Sequence, residues 1–221
     1  ELFGPSPEAL VLRARIESMR GGYAEAAASA AEAVALRPDD ASAYGVMALA
    51  LFDGGDADGA MRAVRAALAL DAAQHEALLV ASTVSLWRMD VDAAGELFQR
   101  ALARHPNSGR ALSGYGQVLM LRNALPDASA TLEHAVAAMP DHIGTWHALA
   151  WAYLLQGRID DAERCYRGAY DIDRNFGDTH GGFALVEALR GRFEEADHIA
   201  RRALRLDPQA LGLGPGAFGV A

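Results

Sequence analysis

The sequence predicts an all-α fold, an α-solenoid of six helix-turn-helix repeats, on three observations. First, alanine recurs every 34 residues without insertion or deletion, at Ala26, Ala60, Ala94, Ala128, Ala162 and Ala196, and again at Ala33, Ala67, Ala101, Ala135, Ala169 and Ala203. A fixed period of this size marks a stacked array in which each unit buries its apolar faces against its neighbours. Second, each period holds two runs of about 13 residues with apolar side chains three and four apart, the spacing of an amphipathic helix. Third, glycine and proline fall at the joints between runs. No stretch alternates apolar and polar residues with period two.

The units are 7–40, 41–74, 75–108, 109–142, 143–176 and 177–210. Residues 1–6 form a lead-in and 211–221 a Gly/Pro-rich apolar tail, so a single repeat domain spans 7–210. Repeat one opens with Leu10 and Ala14, breaks at Met19-Arg20-Gly21-Gly22, and closes at Ala35-Leu36-Arg37-Pro38. Repeat two has Tyr44 and Ala48, breaks at Asp53-Gly54-Gly55-Asp56, and carries Ala72 in the proline slot. Repeats three and four pair Leu78 with Ser82 and Leu112 with Gly116, and end before Pro106 and Pro140. Repeat five has Trp146 and Ala150, breaks at Leu155-Gln156-Gly157-Arg158, and carries Arg174 in the proline slot. Repeat six has His180 and Ala184, turns at Gly191, and ends at Arg205-Leu206-Asp207-Pro208. Glycine just past a helix end adopts a left-handed conformation without a Cβ clash. Proline disfavours helical geometry in the residue before it, so each second helix is expected to stop there.

These residues carry a family resemblance. Counting each unit from 1, position 4 is large, position 8 is small, position 15 is glycine in four copies, and position 24 reads Ala30, Val64, Phe98, Leu132, Tyr166 and Ala200. The chain resembles the tetratricopeptide repeat over residues 7–210. Repeat five matches most fully, through Trp146, Leu149, Ala150, Tyr153, Gly157, Ala162, Tyr166 and Ala169; repeat one departs most, at Glu17 and Ala30. The resemblance implies a right-handed superhelix whose first (A) helices line a concave groove, with positions 2, 5, 9, 12 and 13 facing it. The groove residues so implied are Arg15 in repeat one, Leu49 in repeat two, and Leu79, Thr83, Leu86 and Trp87 in repeat three. Repeat four adds Gln117, Met120 and Leu121, and repeat five His147, Trp151, Leu154 and Leu155. Members of the family that clamp the carboxyl terminus of chaperone tails use Lys and Asn at positions 5 and 9. Those residues are missing, and only Arg15 and Arg110 offer positive charge.

The implied groove is apolar, and an apolar surface of several hundred Å² left open in a monomer marks a binding site. The expected partner is a protein or peptide with an apolar or amphipathic segment, laid as a helix in the groove. Trp87 and Trp151 are its aromatic anchors, with Gln117, Thr83 and His147 orienting it by hydrogen bonds. Position 12 also lies where the next A helix packs, so Phe52, Leu86, Met120 and Leu154 are equally candidates for core.

Other chemistry finds little support. The net charge of −9 argues against nucleic acid, which needs a basic stripe. No apolar run reaches the ~18–20 residues that span a bilayer. The seven histidines form no H-x-x-x-H pair. Asp141, His142 and His147 are the one trio that could meet, and such trios arise easily by accident. The single cysteine, Cys165, reads as a packing residue. Asp160-Asp161 and Glu194-Glu195 complement the positive ends of helix dipoles. No nucleophile triad or phosphate loop is present, and Gly181-Gly182 lies inside a helical pattern. The expectation is a non-enzymatic scaffold without cofactor or metal.

The absence of lysine beside abundant alanine and glycine points to a GC-rich bacterial genome. The expected compartment is the cytoplasm, with the periplasm as alternative. The chain starts without Met and its tail lacks a polar capping helix, so it is expected to be a piece of a longer protein and to self-associate through uncapped ends. Two further readings stay open: the interaction region of a larger bacterial enzyme or secretion component, and a self-assembling structural protein.

Overall fold

A computed structural model describes residues 5–208. Residues 1–4 of the lead-in lie outside it, as do residues 209–221 with the Gly/Pro-rich apolar tail. The described residues form twelve α-helices and no strand. Contacts divide the chain into two compact units, Glu1–Pro106 and Asn107–Ala221.

The first unit holds α1 (Pro7–Met19), α2 (Tyr23–Leu36), α3 (Ala41–Asp53), α4 (Ala57–Leu70), α5 (His75–Trp87) and α6 (Val91–Arg104). Each odd helix forms a hairpin with the even one after it, and α2 packs on α3 and α4 on α5. The hairpins come close because the helix faces that meet are alanine: Ala14, Ala26, Ala30, Ala33, Ala43 and Ala50 are all fully buried in one cluster. A second cluster joins Ala48, Ala60, Val64, Ala67, Val80 and Val84. Small side chains at the crossing let the axes approach, and larger ones fill the space on either side.

The second unit holds α7 (Gly109–Leu121), α8 (Leu125–Ala138), α9 (Ile143–Leu155), α10 (Ile159–Ile172), α11 (Gly177–Leu189) and α12 (Phe193–Leu206). Its hairpins are joined through α8 on α9 and α10 on α11. One cluster, with Leu132, Leu149, Tyr153 and Tyr166 at its centre, is sealed at the edge by Trp146 and Phe183. Glycine permits close contact here: a Cβ at Gly168 would press on the Trp146 ring, and one at Gly116 would collide with Leu132.

The A helices (α1, α3, α5, α7, α9, α11) have 13 residues each and the B helices 14. Position 15 takes a left-handed φ in all six turns, at Gly21, Gly55, Gly157 and Gly191 but also at Met89 (61°) and Asn123 (58°). The proline expectation needs a correction. Every B helix ends at position 30, including α4 at Leu70 and α10 at Ile172, where Ala72 and Arg174 replace proline. In those two the next residue turns extended (φ −136° and −140°) while its N–H still bonds to the helix. Proline is compatible with this stop without causing it.

Candidate functional site

The sites are built from the solvent-facing sides of the A helices, each within one unit. In the first unit, Arg15 on α1 reaches across two repeats. Its guanidinium donates to the Ser42 hydroxyl on α3 (3.3 Å) and pairs with the Glu76 carboxylate on α5. Glu76 is buried, and Gln74 donates to it at 2.6 Å while its own amide oxygen accepts from the Ala77 N–H at 2.7 Å. Burying a carboxylate costs several kcal/mol unless it is paired and hydrogen-bonded, so this link ties three A helices together and engages the cation that the sequence offers to a ligand.

Trp87, at the end of α5, is 48% exposed and stacks on Phe52 of α3, ring centres 4.8 Å apart. Leu49 is half-buried against the unit's core. Leu79 and Leu86 are buried, and the Thr83 hydroxyl donates to the Leu79 carbonyl one turn back (2.8 Å). Leu79 and Leu86 thus belong to the core, while Thr83 is half-buried with its hydroxyl proton committed to its own helix.

In the second unit, Leu121 at the end of α7 and Leu155 at the end of α9 are 48% and 55% exposed, and Leu189 on α11 repeats the position. Trp151 and Gln117, both at position 9, are half-buried, as are Met120 and Leu154, which lean on the core. The structure thus gives α7 and α9 an apolar face with one indole and one amide.

His147 stands apart from this set. It is 2% exposed; its Nε2 meets the Thr179 hydroxyl at 2.9 Å, and its ring lies edge-on to Tyr166. Burial pushes its pKa down to about 4, so the imidazole is neutral at physiological pH. Its Nε2 links α9 to α11 through Thr179, and its ring is buried rather than open to a ligand.

The possible metal trio disperses for the same reason. His142 turns Nδ1 back to accept the Thr145 N–H (3.1 Å) as the N-cap of α9, while His147 points to Thr179. Among the described residues no three His, Cys, Asp or Glu side chains gather to hold a metal. Cys165 is buried, and that burial pushes its thiol up to about 12, which keeps it protonated and unreactive. No helix among the described residues is long and apolar enough to cross a membrane.

The Arg15–Glu76–Gln74 link was not legible in the sequence, because an acidic side chain at position 2 normally signals only a favourable helix start. Its partner lies two repeats away, a separation that the pattern within one repeat does not reveal.

Comparison with known proteins agrees with this architecture. Three family models, each described as tetratricopeptide repeat, match residues 11–75, 89–152 and 144–176. No curated protein sequence matches the chain. Among solved structures, the APC/C hetero-tetramer Cut9-Hcn1 is similar at TM-score 0.79 and 17% identity, covering 96% of this chain and 41% of that one. PilF of Pseudomonas aeruginosa is similar at TM-score 0.71 and 15% identity, covering 93% and 94% of the two chains. YrrB, described as a TPR protein with an unusual peptide-binding site, is similar at 0.61 and 20%, covering 83% and 95%. Identities this low carry the fold alone. With its 34-residue period, its twelve paired helices and the family models spread over most of its length, the chain belongs to the tetratricopeptide repeat family.

Proposed function

We propose that this chain uses the tetratricopeptide architecture, a scaffold for protein–protein interaction, to bind an apolar or amphipathic protein segment on the A-helix face of its second unit. The observation that carries the reading is the exposure of Leu121 on α7 and Leu155 on α9, together with the half-buried Trp151 on α9. Large apolar side chains held in solvent by well-packed helices gain free energy when a partner covers them, at about 25 cal/mol per Å². The Trp151 indole, one helical turn before Leu155 on α9, supplies a rigid anchor of the kind that dominates binding energies. Gln117 offers one polar group to orient the ligand. A helix with apolar residues at i, i+3, i+4 and i+7 fits a face of this kind. Association and ordering costs leave such an interaction at roughly micromolar affinity. The peptide-binding site of the similar YrrB supports the same use of the fold.

The reading is tested by selecting peptides from a displayed library on the parent protein and counter-selecting on a Trp151→Ala/Leu155→Asp variant. The expected survivors carry apolar residues at helical spacing and bind the parent at least ~10-fold more tightly than the folded variant. Survivors that bind both equally would remove the site from this face.

A further inference from the structure

Within a repeat, positions 4, 7 and 11 of the A helix and positions 16, 19, 22 and 23 at the start of the B helix border one seam, and three repeats bridge it with their own charged side chains. In repeat one, Arg13 (position 7) donates to the Ser29 hydroxyl (position 23) at 2.8 Å, which donates to the Glu17 carboxylate (position 11) at 2.6 Å. In repeat five, the Arg158 guanidinium (position 16) lies 4.3 Å over the Tyr153 ring (position 11) and pairs with Asp161 (position 19) at 2.6 Å. Asp161 also holds Arg164 (position 22), and Leu149, Tyr153 and Cys165 are buried beneath this cover. In repeat six, Arg192 (position 16) donates to Glu187 (position 11) at 2.8 Å.

Repeat two leaves the seam open. A hollow of about 280 Å³ lies between α3 and α4. Its floor is Tyr44, Met47 and Leu51, half-buried against the core, and Asp56 and Arg62 stand over it. Leu51 takes the place of the Tyr153 ring and Gly59 that of the Asp161 carboxylate, so neither group fills the space. Arg62 is exposed and has no ion pair or hydrogen bond among the described residues, whereas its counterpart Arg164 is held by Asp161. Asp56 replaces Arg158 and inverts the charge at that corner. One of its oxygens accepts the Gly59 N–H at 2.8 Å, and the other occupies the space that a Cβ on Gly59 would need.

We propose that this hollow binds a free α-amino acid with an apolar side chain, its carboxylate on Arg62, its ammonium on Asp56 and its side chain on Tyr44, Met47 and Leu51. Such a ligand supplies the three things that repeat five has and repeat two lacks: a carboxylate for the arginine at position 22, a cation beside position 16, and apolar bulk over positions 7 and 11. The charges decide the class. A plain carboxylic acid is opposed by Asp56 and a plain amine by Arg62, while a zwitterion satisfies both. The volume agrees, since ligand sites run upward from roughly 300 Å³ and this one suits a single small molecule. The hollow lies in the first unit at positions 4, 7 and 11, none of them a groove position, so it is independent of peptide binding on the second unit. A site open to solvent on one side with few ligand atoms to bury gives an affinity of roughly millimolar.

The test is a nuclear magnetic resonance titration of the full chain with L-leucine, followed at the Gly59 amide and the Met47 methyl. Both signals are expected to shift and saturate together. Leucinamide, which lacks the carboxylate, and 4-methylpentanoate, which lacks the amine, each bind about 5-fold more weakly. Arg62→Gln, at an exposed and unpaired position, leaves the melting temperature unchanged and lowers leucine to the affinity of leucinamide. Asp56→Asn retains an acceptor for the helix N-terminus; it weakens leucine and does not weaken 4-methylpentanoate. The proposal fails if neither signal shifts to saturation, or if leucine, leucinamide and 4-methylpentanoate bind alike. Trp151→Ala/Leu155→Asp is expected to bind leucine as the parent does, and loss of the shifts in that variant would move the ligand to the groove and overturn the site.

Discussion

A left-handed residue closes each A–B turn, and in two repeats it is not glycine. Met89 and Asn123 hold φ near 60° with a Cβ present, which costs an L-residue on the order of 1 kcal/mol, less for Asn because its short polar side chain tolerates this region. Met89→Gly is therefore expected to raise unfolding stability by about 0.5–1 kcal/mol, after the entropy that glycine adds to the unfolded chain, and Asn123→Gly by less. Urea denaturation ranks the two; a loss for Met89→Gly would mean that its side chain contributes packing which outweighs the backbone strain. His147 gives a second prediction at this scale. The unfolded chain takes up a proton near 6.5 while folded His147 resists to about 4. Its contribution is complete above pH 6.5 and is lost as pH falls through that window, by at most about 1.4 kcal/mol per pH unit. Unfolding at neutral pH and at pH ~5 should show a smaller acid-induced loss in His147→Gln than in the parent. An equal loss in both would show that other groups carry the acid sensitivity. The glycine turns could be read directly because only backbone freedom explains glycine at that place. His147 could not, since an imidazole at position 5 reads the same whether it faces a groove or, as here, the Thr179 hydroxyl.

Among the helices, the two kinds differ in how they begin. All A helices but α11 have a side-chain cap, from Ser6, Asp40, Gln74, Ser108 and His142. Of the B helices only α4 and α6 are capped, by Asp56 and Asp90. Ala124 before α8 holds nearly the same backbone angles (φ −88°, ψ 60°) as Asp90 (φ −83°, ψ 75°). Ala124→Asp should therefore supply the missing acceptor and stabilise the fold by about 1 kcal/mol, while Asp90→Ala should cost about the same. Thermal melts of the pair check this, and no gain from Ala124→Asp would place a competing contact at that turn. The contrast between helix types also explains why the candidate site was only partly legible. An A helix is covered by its own B helix and by both neighbouring repeats, so apolar residues appear almost all round it. In α9, Ile143, Trp146, Leu149, Trp151, Leu154 and Leu155 share 13 residues. Periodicity then separates core from surface poorly. Leu86 proved buried while Leu121 and Leu155, one position later in their repeats, proved exposed.

At the scale of the whole chain, stability in an array of this kind is a sum over repeats and their nearest-neighbour interfaces. Among the described residues, α1 exposes Leu12 and Ile16 and α12 exposes Leu204, apolar side chains with little buried contact. Amide hydrogen exchange is expected to be fastest in α1–α2 and α12 and slowest in α3–α4 and α9–α10, as local opening follows buried contact. Uniform protection along the chain would contradict nearest-neighbour summation. The fold was legible at this scale because six copies vote on every position, whereas each groove residue occurs once and has no second copy to vote with it. The pairing of large with small side chains across interfaces has a last consequence: the six modules share a length but are not interchangeable. Excision of residues 143–176 would preserve the 34-residue phase, yet it would set Leu132 opposite Gly182, a seat shaped for the Tyr166 ring. The order of the modules is thus written in steric pairs, like numbered joints in a timber frame, and gene-level shuffling or duplication of a single unit would have to be followed by a compensating change at position 6 or 24 of its new neighbour.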